Sequence, residues 1–173
     1  DGIEVTGCVG ECPTDLVIPE EIDGYPVTII GGGAFGEKNL SSVLIPESIV
    51  SIGHWAFANN QLSTVTVPDT VTSINESAFR NNQLTTVSLS SNITIIDDDL
   101  FKNNQLTNVV IPNGVTHIRG DAFKDNQLST VSIPNSVSII DNAAFQNNQL
   151  TSVNIPHSVK NISERAFANN LLS

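Results

Sequence analysis

A 22-residue period dominates this chain. Leu40, Leu62, Leu84, Leu106, Leu128 and Leu150 recur at that spacing, and so do Phe57, Phe79, Phe101, Phe123, Phe145 and Phe167. One unit reads LSTVTVPDTVTSINESAFRNNQ, residues 62–83, and six copies run from Leu40 to the end. A degenerate copy precedes them, with LVIP at Leu16 to Pro19, Ala34-Phe35 near its end and a five-residue insertion around Asp23-Gly24-Tyr25-Pro26. Self-similarity at such a period means a stack of small units, each unable to bury its apolar face without its neighbours. The expectation is therefore a solenoid rather than a globular core. About seven coils at the ~4.8 Å strand spacing make a stack of roughly 35 Å.

The unit can be read position by position. Val65-Thr66-Val67 alternates apolar and polar, as a strand with one buried face does. Proline follows in five of the six copies, at Pro46, Pro68, Pro112, Pro134 and Pro156. Its missing N–H ends the strand and turns the chain. Val71 and Ile74 return along a second wall, Ala78-Phe79 fills the far interior, and Asn81-Asn82-Gln83 turns back to the next strand. Asparagine occurs 20 times in 173 residues, and the period explains most of it. Asn60, Asn82, Asn104, Asn126, Asn148 and Asn170 fill one column without exception. An inward amide both donates and accepts, so this column reads as a structural ladder satisfying the backbone of a buried turn. The column before it, Asn59, Asn81, Asn103, Asp125, Asn147 and Asn169, reads as exposed and turn-forming.

These residues carry a resemblance. The pattern L-[ST]-x-V-x-[IV]-P-x-x-[VI]-x-x-I-x-x-x-A-F-x-N-N-Q resembles the leucine-rich repeats of bacterial BspA-like and Treponema-type surface proteins, and IPEEIDGYPVTIIGGGAF from Ile18 to Phe35 is similar to the way such arrays begin. Units of that family usually carry cysteine near the last turn, where this chain has the asparagine column. The resemblance spans roughly residues 16–173. It implies an α/β-type repeat solenoid of mostly short parallel β-strands, wound as a right-handed leucine-rich repeat superhelix. It also implies a secreted or surface-anchored bacterial interaction protein, often an adhesin for protein or glycan on another cell or matrix; the alternative reading is a structural spacer array that carries another domain.

The expected organisation is an N-terminal cap over residues 1–15, the degenerate repeat over 16–39, and six repeats over 40–173. Cys8 and Cys12 fall in the cap, within GCVGEC. Two ligands four apart are too few for zinc. In an exported protein they read instead as a short-loop disulfide. The last residues, Asn169-Asn170-Leu171-Leu172-Ser173, put leucine where glutamine usually stands. An apolar end exposed there would favour end-to-end self-association, although continuation of the natural chain is the preferred reading.

Three features bear on binding. The outward strand positions align as Ser42, Thr64, Thr86, Asn108, Thr130, Ser152 and Leu44, Thr66, Ser88, Val110, Ser132, Asn154. This small, uncharged, hydroxyl-rich face suits an extended peptide or a glycan. Its threonine ranks also resemble those of ice-binding solenoids, and hydroxyl residues are in any case ordinary solvated strand formers. The second feature is Asp97-Asp98-Asp99. Register places Asp98 beside Glu76 and Asp99 beside Asp121, a carboxylate set suited to Ca²⁺. Against this, Arg119 lies beside Asp97, Arg80, Lys102 and Lys124 form a basic column, and Glu76–Arg80 and Asp98–Lys102 are spaced to pair at the surface. The third is Trp55, next to His54, in a column otherwise held by Ser77, Asp99, Asp121, Ala143 and Arg165. It reads either as an exposed interface anchor or as packing on the insertion near Tyr25.

No catalytic arrangement stands out. His54, His117 and His157 fall in three different columns, Gly31-Gly32-Gly33 matches the ordinary turn before Ala-Phe, and no nucleophile has a paired base. No cofactor is expected beyond the calcium alternative. The net charge of −11 disfavours nucleic acid and anionic membranes. No apolar run is long enough to span a bilayer, so membrane insertion is not expected. Residues 1–39 hold eight acids and one base, a net −7, leaving −4 for the repeats. The array is nearly neutral, and the acidity lies at its N-terminal end.

Overall fold

The computed structural model describes residues 2–173, so Asp1 of the expected cap lies outside the described residues. The chain winds into a parallel β-solenoid of about seven turns. No helix forms among the described residues, and the expected α/β-type solenoid consists of short strands and turns alone. The strands are β1 (Ile3–Val5), β2 (Asp15–Val17), β3 (Glu21–Ile22), β4 (Tyr25–Ile30), β5 (Ser42–Leu44), β6 (Ser51–Ile52), β7 (Thr64–Thr66), β8 (Ser73–Ile74), β9 (Thr86–Ser88), β10 (Ile95–Ile96), β11 (His117–Ile118), β12 (Ile139–Ile140) and β13 (Asn161–Ile162).

Two walls emerge from the two apolar stretches of each unit. On one, β2 pairs with β5 and β7 with β9, both parallel, and single bridges join Val110 to Ser132 and Ser132 to Asn154. On the other, β1-β4-β6-β8 and β10-β11-β12-β13 form two parallel runs. Partners in the repeats are 22 residues apart, as with Ser51 and Ser73 or His117 and Ile139. The insertion in the degenerate copy is a hairpin in which β3 pairs antiparallel with β4. Asp23 and Gly24 both take positive φ, 54° and 79°, as a two-residue hairpin turn matching strand twist requires.

Between the walls, apolar side chains stack in columns. Phe35, Phe57, Phe79, Phe101, Phe123, Phe145 and Phe167 form one unbroken pile, with centroids 5.3 to 5.8 Å apart and rings within 18° of parallel. The leucine column from Leu40 to Leu150 is fully buried beside it.

The inward asparagines are the ladder that the pattern predicts. The Asn104 amide nitrogen donates to Phe79 O (3.0 Å) in the preceding coil and to Phe101 O (3.0 Å) in its own, while Leu84 N–H donates to its Oδ1 (3.0 Å). Each asparagine thus joins the start and end of its coil and fastens that coil to the one before. Asn82, Asn126, Asn148 and Asn170 repeat the set, and Asn60 accepts from both Lys38 and Leu40.

The adjacent column differs from its expectation. It is turn-forming, with φ between 54° and 57°, but several members are half-buried because their amides bond to one another. Asn81 donates to Asn59 (2.7 Å), Asn103 to Asn81 (2.8 Å), Asn147 to Asp125 (2.5 Å) and Asn169 to Asn147 (2.8 Å). Two asparagine ladders therefore run along one edge of the solenoid.

An unpaired buried donor or acceptor carries a penalty of about 1–3 kcal/mol, and Asn104→Ala strands several at once. The variant should lose about 3–5 kcal/mol of unfolding free energy. A urea-unfolding loss of less than about 1 kcal/mol would contradict the role assigned to the ladder.

Candidate functional site

The twelve outward strand residues predicted as a face are all exposed and lie on one wall, from Ser42 and Leu44 to Ser152 and Asn154. Within the paired blocks they stand side by side, as Thr64 with Thr86 and Thr66 with Ser88. Ser42 is tied to the first coil through its hydroxyl, which donates to Asp15 at 2.6 Å.

The face is not one continuous flat sheet. Strand pairing is interrupted between β5 and β7 and again between β9 and Val110. A cleft lies at each interruption. The larger, about 440 Å³, runs between Val87-Ser88-Leu89 and Val110-Ile111, with Asn113 and Gly114 at its end. The smaller, about 290 Å³, separates Leu44 from Thr66. Leu44 is 60% and Val110 81% exposed, so the apolar departures from the hydroxyl ranks border the clefts.

The larger cleft borders the unusual copy over 84–105. Ser90 replaces proline there, and its buried hydroxyl donates to Val71 O at 2.6 Å. The Ser91 N–H (2.7 Å) and hydroxyl (3.0 Å) both donate to Asp69 Oδ1, and the Asn92 amide donates to Asp69 O (2.7 Å). The two Ser91 bonds hold the Asp69 carboxyl below its usual range. Together these side-chain bonds tie this corner to the preceding coil, and the cleft lies on its following side.

The acidic run does not assemble a calcium site. No group of three or more His, Cys, Asp or Glu side chains among the described residues is placed to hold a metal ion. The three carboxylates diverge because each has another partner. Asp97 accepts from Arg119 at 2.9 Å, as register predicts. Asp98 accepts from Gly120 N–H at 2.9 Å. Asp99 pairs with Lys102 (2.9 Å) and Arg80 (3.4 Å). Glu76 is exposed and takes no part. The expected Glu76–Arg80 and Asp98–Lys102 pairs are thus replaced. The basic column interleaves instead with Asp99 and Asp121, since Lys102 also reaches Asp121 (2.5 Å), as does Lys124 (3.2 Å).

Trp55 is 39% exposed, and the Arg80 guanidinium lies 5.6 Å from its ring centroid. A zigzag therefore runs Trp55–Arg80–Asp99–Lys102–Asp121–Lys124 across four coils. His54 lies next to Gly32 of the preceding coil, close enough that a β-carbon there would meet its ring.

Every residue in the Trp55 column is left-handed: Trp55, Ser77, Asp99, Asp121, Ala143 and Arg165 have φ between 54° and 59°, with Gly33 (65°) at the head. Only that glycine signals the conformation in sequence. Cys8 and Cys12 form a disulfide.

Burial alone would raise Asp121 and lower Lys102. The bonds and charges between them, with Lys124, prevail, leaving the Asp121 carboxyl below and the Lys102 ammonium above their usual ranges. A carboxyl depressed on folding contributes stability above its unfolded pKa, which is lost as pH falls through the folded one. The stability difference between the wild type and Asp121→Asn should therefore be full at neutral pH and shrink once pH falls below about 4. Chemical denaturation across that range tests this, and a pH-independent difference would contradict it. Asp98 runs the other way. Burial raises it despite the Gly120 bond, so its contribution declines as pH rises through the folded value.

Comparisons place the repeat and the fold among known proteins. The profile of the BspA type leucine rich repeat region matches in six copies over residues 14–129 and 118–173. A leucine-rich repeat protein from Eubacterium ventriosum superposes with a TM-score of 0.80 at 25% identity, covering 93% of this chain and 44% of that one. A leucine rich cell surface protein from Faecalibacterium prausnitzii gives 0.73 at 30% identity, covering 94% and 47%. The leucine rich repeat protein of T. pallidum gives 0.78 at 27% identity, covering 94% and 78%. The chain thus spans less than half the length of the first two. A search of curated proteins returned no match.

Proposed function

The chain belongs to the BspA-type leucine-rich repeat family, and from that premise we propose that it is a non-catalytic interaction module of a secreted or cell-surface bacterial protein. Its ligand is protein or glycan carried by another cell or by matrix, taken up on the strand wall. The observation that carries this reading is the exposed rank of small hydroxyl and amide side chains from Ser42 to Asn154, interrupted by two clefts with apolar borders. Hydroxyl and amide groups provide orienting hydrogen bonds. The clefts beside Leu44 and Val110 accept the apolar surface that a flat hydroxyl rank cannot hold.

Several properties support the reading. The twelve face residues are themselves uncharged, with Glu47 and Asp15 at the border of the first coils, and the repeats hold only −4 of the net charge. The face residues are spaced by the coil repeat and anchored on a buried core, so the ranks are aligned before a ligand arrives. The Faecalibacterium relative is described as a cell surface protein, which accords with the proposed location.

Glycan and protein arrays probed with the chain test this directly. For any ligand detected, the triple substitution Thr64→Val, Thr86→Val and Thr130→Val removes three hydroxyls while keeping shape and charge. Affinity should fall about tenfold or more, the equivalent of one to two hydrogen bonds. If the triple variant retains every detected interaction at full strength, the strand wall is not the binding surface.

A further inference from the structure

The turn wall at the N-terminal end carries a second recess. Gly33, Gly36 and Glu37 from the degenerate repeat, with Trp55, Ala58 and Asn59 from the next coil, enclose about 240 Å³. It exists because of what the degenerate repeat lacks. Further along the stack the corresponding positions are filled, by Asp99 or Asp121 in one column and by Arg80, Lys102 or Lys124 in the other. In the first repeat both are glycine, and nothing lies within 4 Å of where a Gly33 β-carbon would stand. The bulkiest residue of the chain borders that vacancy. Trp55 holds a left-handed backbone (φ 59°), a conformation unfavourable for a large side chain, and it is the only tryptophan present. Arg80 approaches the indole from the following coil, whereas the recess lies toward the preceding one.

Glu37 supplies the charge. It is exposed, makes no ion pair among the described residues, and takes one hydrogen bond, from the Asn59 amide at 3.3 Å. A second recess of about 420 Å³ meets the first at Glu37 and is lined by Glu11, Cys12, Thr14 and Lys38. Lys38 is the one base in residues 1–39, against eight acids. An aromatic face beside an unpaired carboxylate, within the most acidic region of the chain, has the chemistry of a cation site.

We propose that this recess binds a lysine or arginine side chain of a basic partner segment, with the cation on the indole of Trp55 and paired to Glu37, and with flanking basic residues over Glu11. The site is separate from the strand wall and does not depend on the function proposed for that wall. Its size admits one side chain, which makes an extended peptide the fitting partner. The acidity of the cap draws that peptide in.

The single tryptophan reports occupancy. A capped Gly-Arg-Gly-Lys-Gly-Arg-Gly peptide titrated into the chain at low salt should shift the indole emission saturably, and its glutamine counterpart, with Gln in place of each Arg and Lys, should not. By calorimetry, Glu37→Gln and Trp55→Ser should each weaken binding about tenfold. Glu20→Gln, which removes an equal charge elsewhere in the acidic region, should leave it nearly unchanged. Serine is compatible with the Trp55 backbone, since Ser77 holds the same conformation in the next coil. Equal weakening by Glu37→Gln and Glu20→Gln would reduce the interaction to general attraction and overturn the proposal. So would an unsaturable shift, or a neutral oligosaccharide that moves the indole while the basic peptide does not.

Discussion

The whole solenoid depends on how each coil closes. A 22-residue loop with an apolar interior must bury backbone groups at its tightest turn, and nothing in a strand ladder reaches them. The asparagine column resolves this by letting one amide group serve several main-chain partners. The Asn126 Oδ1 accepts from Leu106 N–H, where the coil begins, and its nitrogen donates to Phe123 O, where the coil ends, and to Phe101 O in the coil before. Closure and stacking are thus the same interaction. The phenylalanine pile and the second asparagine ladder flank it, and main-chain bonds run unbroken along this edge, from Phe57 N–H to Ala78 O through Phe145 N–H to Ala166 O. Where the family usually places cysteine, a residue with both a donor and an acceptor does the work.

The remaining walls are consequently free to vary. Strand pairing lapses twice on one wall and once on the other, between β8 and β10, without opening the stack. An interruption that would divide an ordinary sheet is tolerated because the closing edge holds the coils together. The clefts with exposed Leu44 and Val110 lie at such lapses on the strand wall, whereas the glycine-floored recess beside Trp55 lies between coils whose main-chain bonds are intact.

Much of this was legible from residue order. Period, coil length, the two walls and the inward asparagines all follow from residue types recurring at fixed positions, because each column has one environment, whereas the cysteine pairing is legible from spacing alone. What escaped depends on relations between neighbouring coils. Asp97, Asp98 and Asp99 look like a metal set when read along the chain, yet across the stack each faces a different partner. The bonds of Ser91 and Asn92 to Asp69 unite coils 22 residues apart through side chains that no repeat pattern marks. The left-handed backbone under Trp55, Ser77 and Ala143 has no compositional signature, since these positions hold bulky, polar and small residues alike. The recess at Gly33 and Gly36 was equally hidden, because it consists of side chains that are missing.

The central claim is that the asparagine edge, rather than the strand walls, carries the stability of the stack. Native-state hydrogen exchange measures this residue by residue. The amides of Leu62, Leu84, Leu106 and Leu128, which donate to asparagine side chains, and those of Phe57, Phe79, Phe101 and Phe123 should exchange most slowly, at the rate of global unfolding. The amides of Thr66, Asn108 and Val110, beside the strand interruptions, should exchange by local opening and much faster. Equal protection of both sets, or faster exchange at the leucine and phenylalanine amides, would contradict the account.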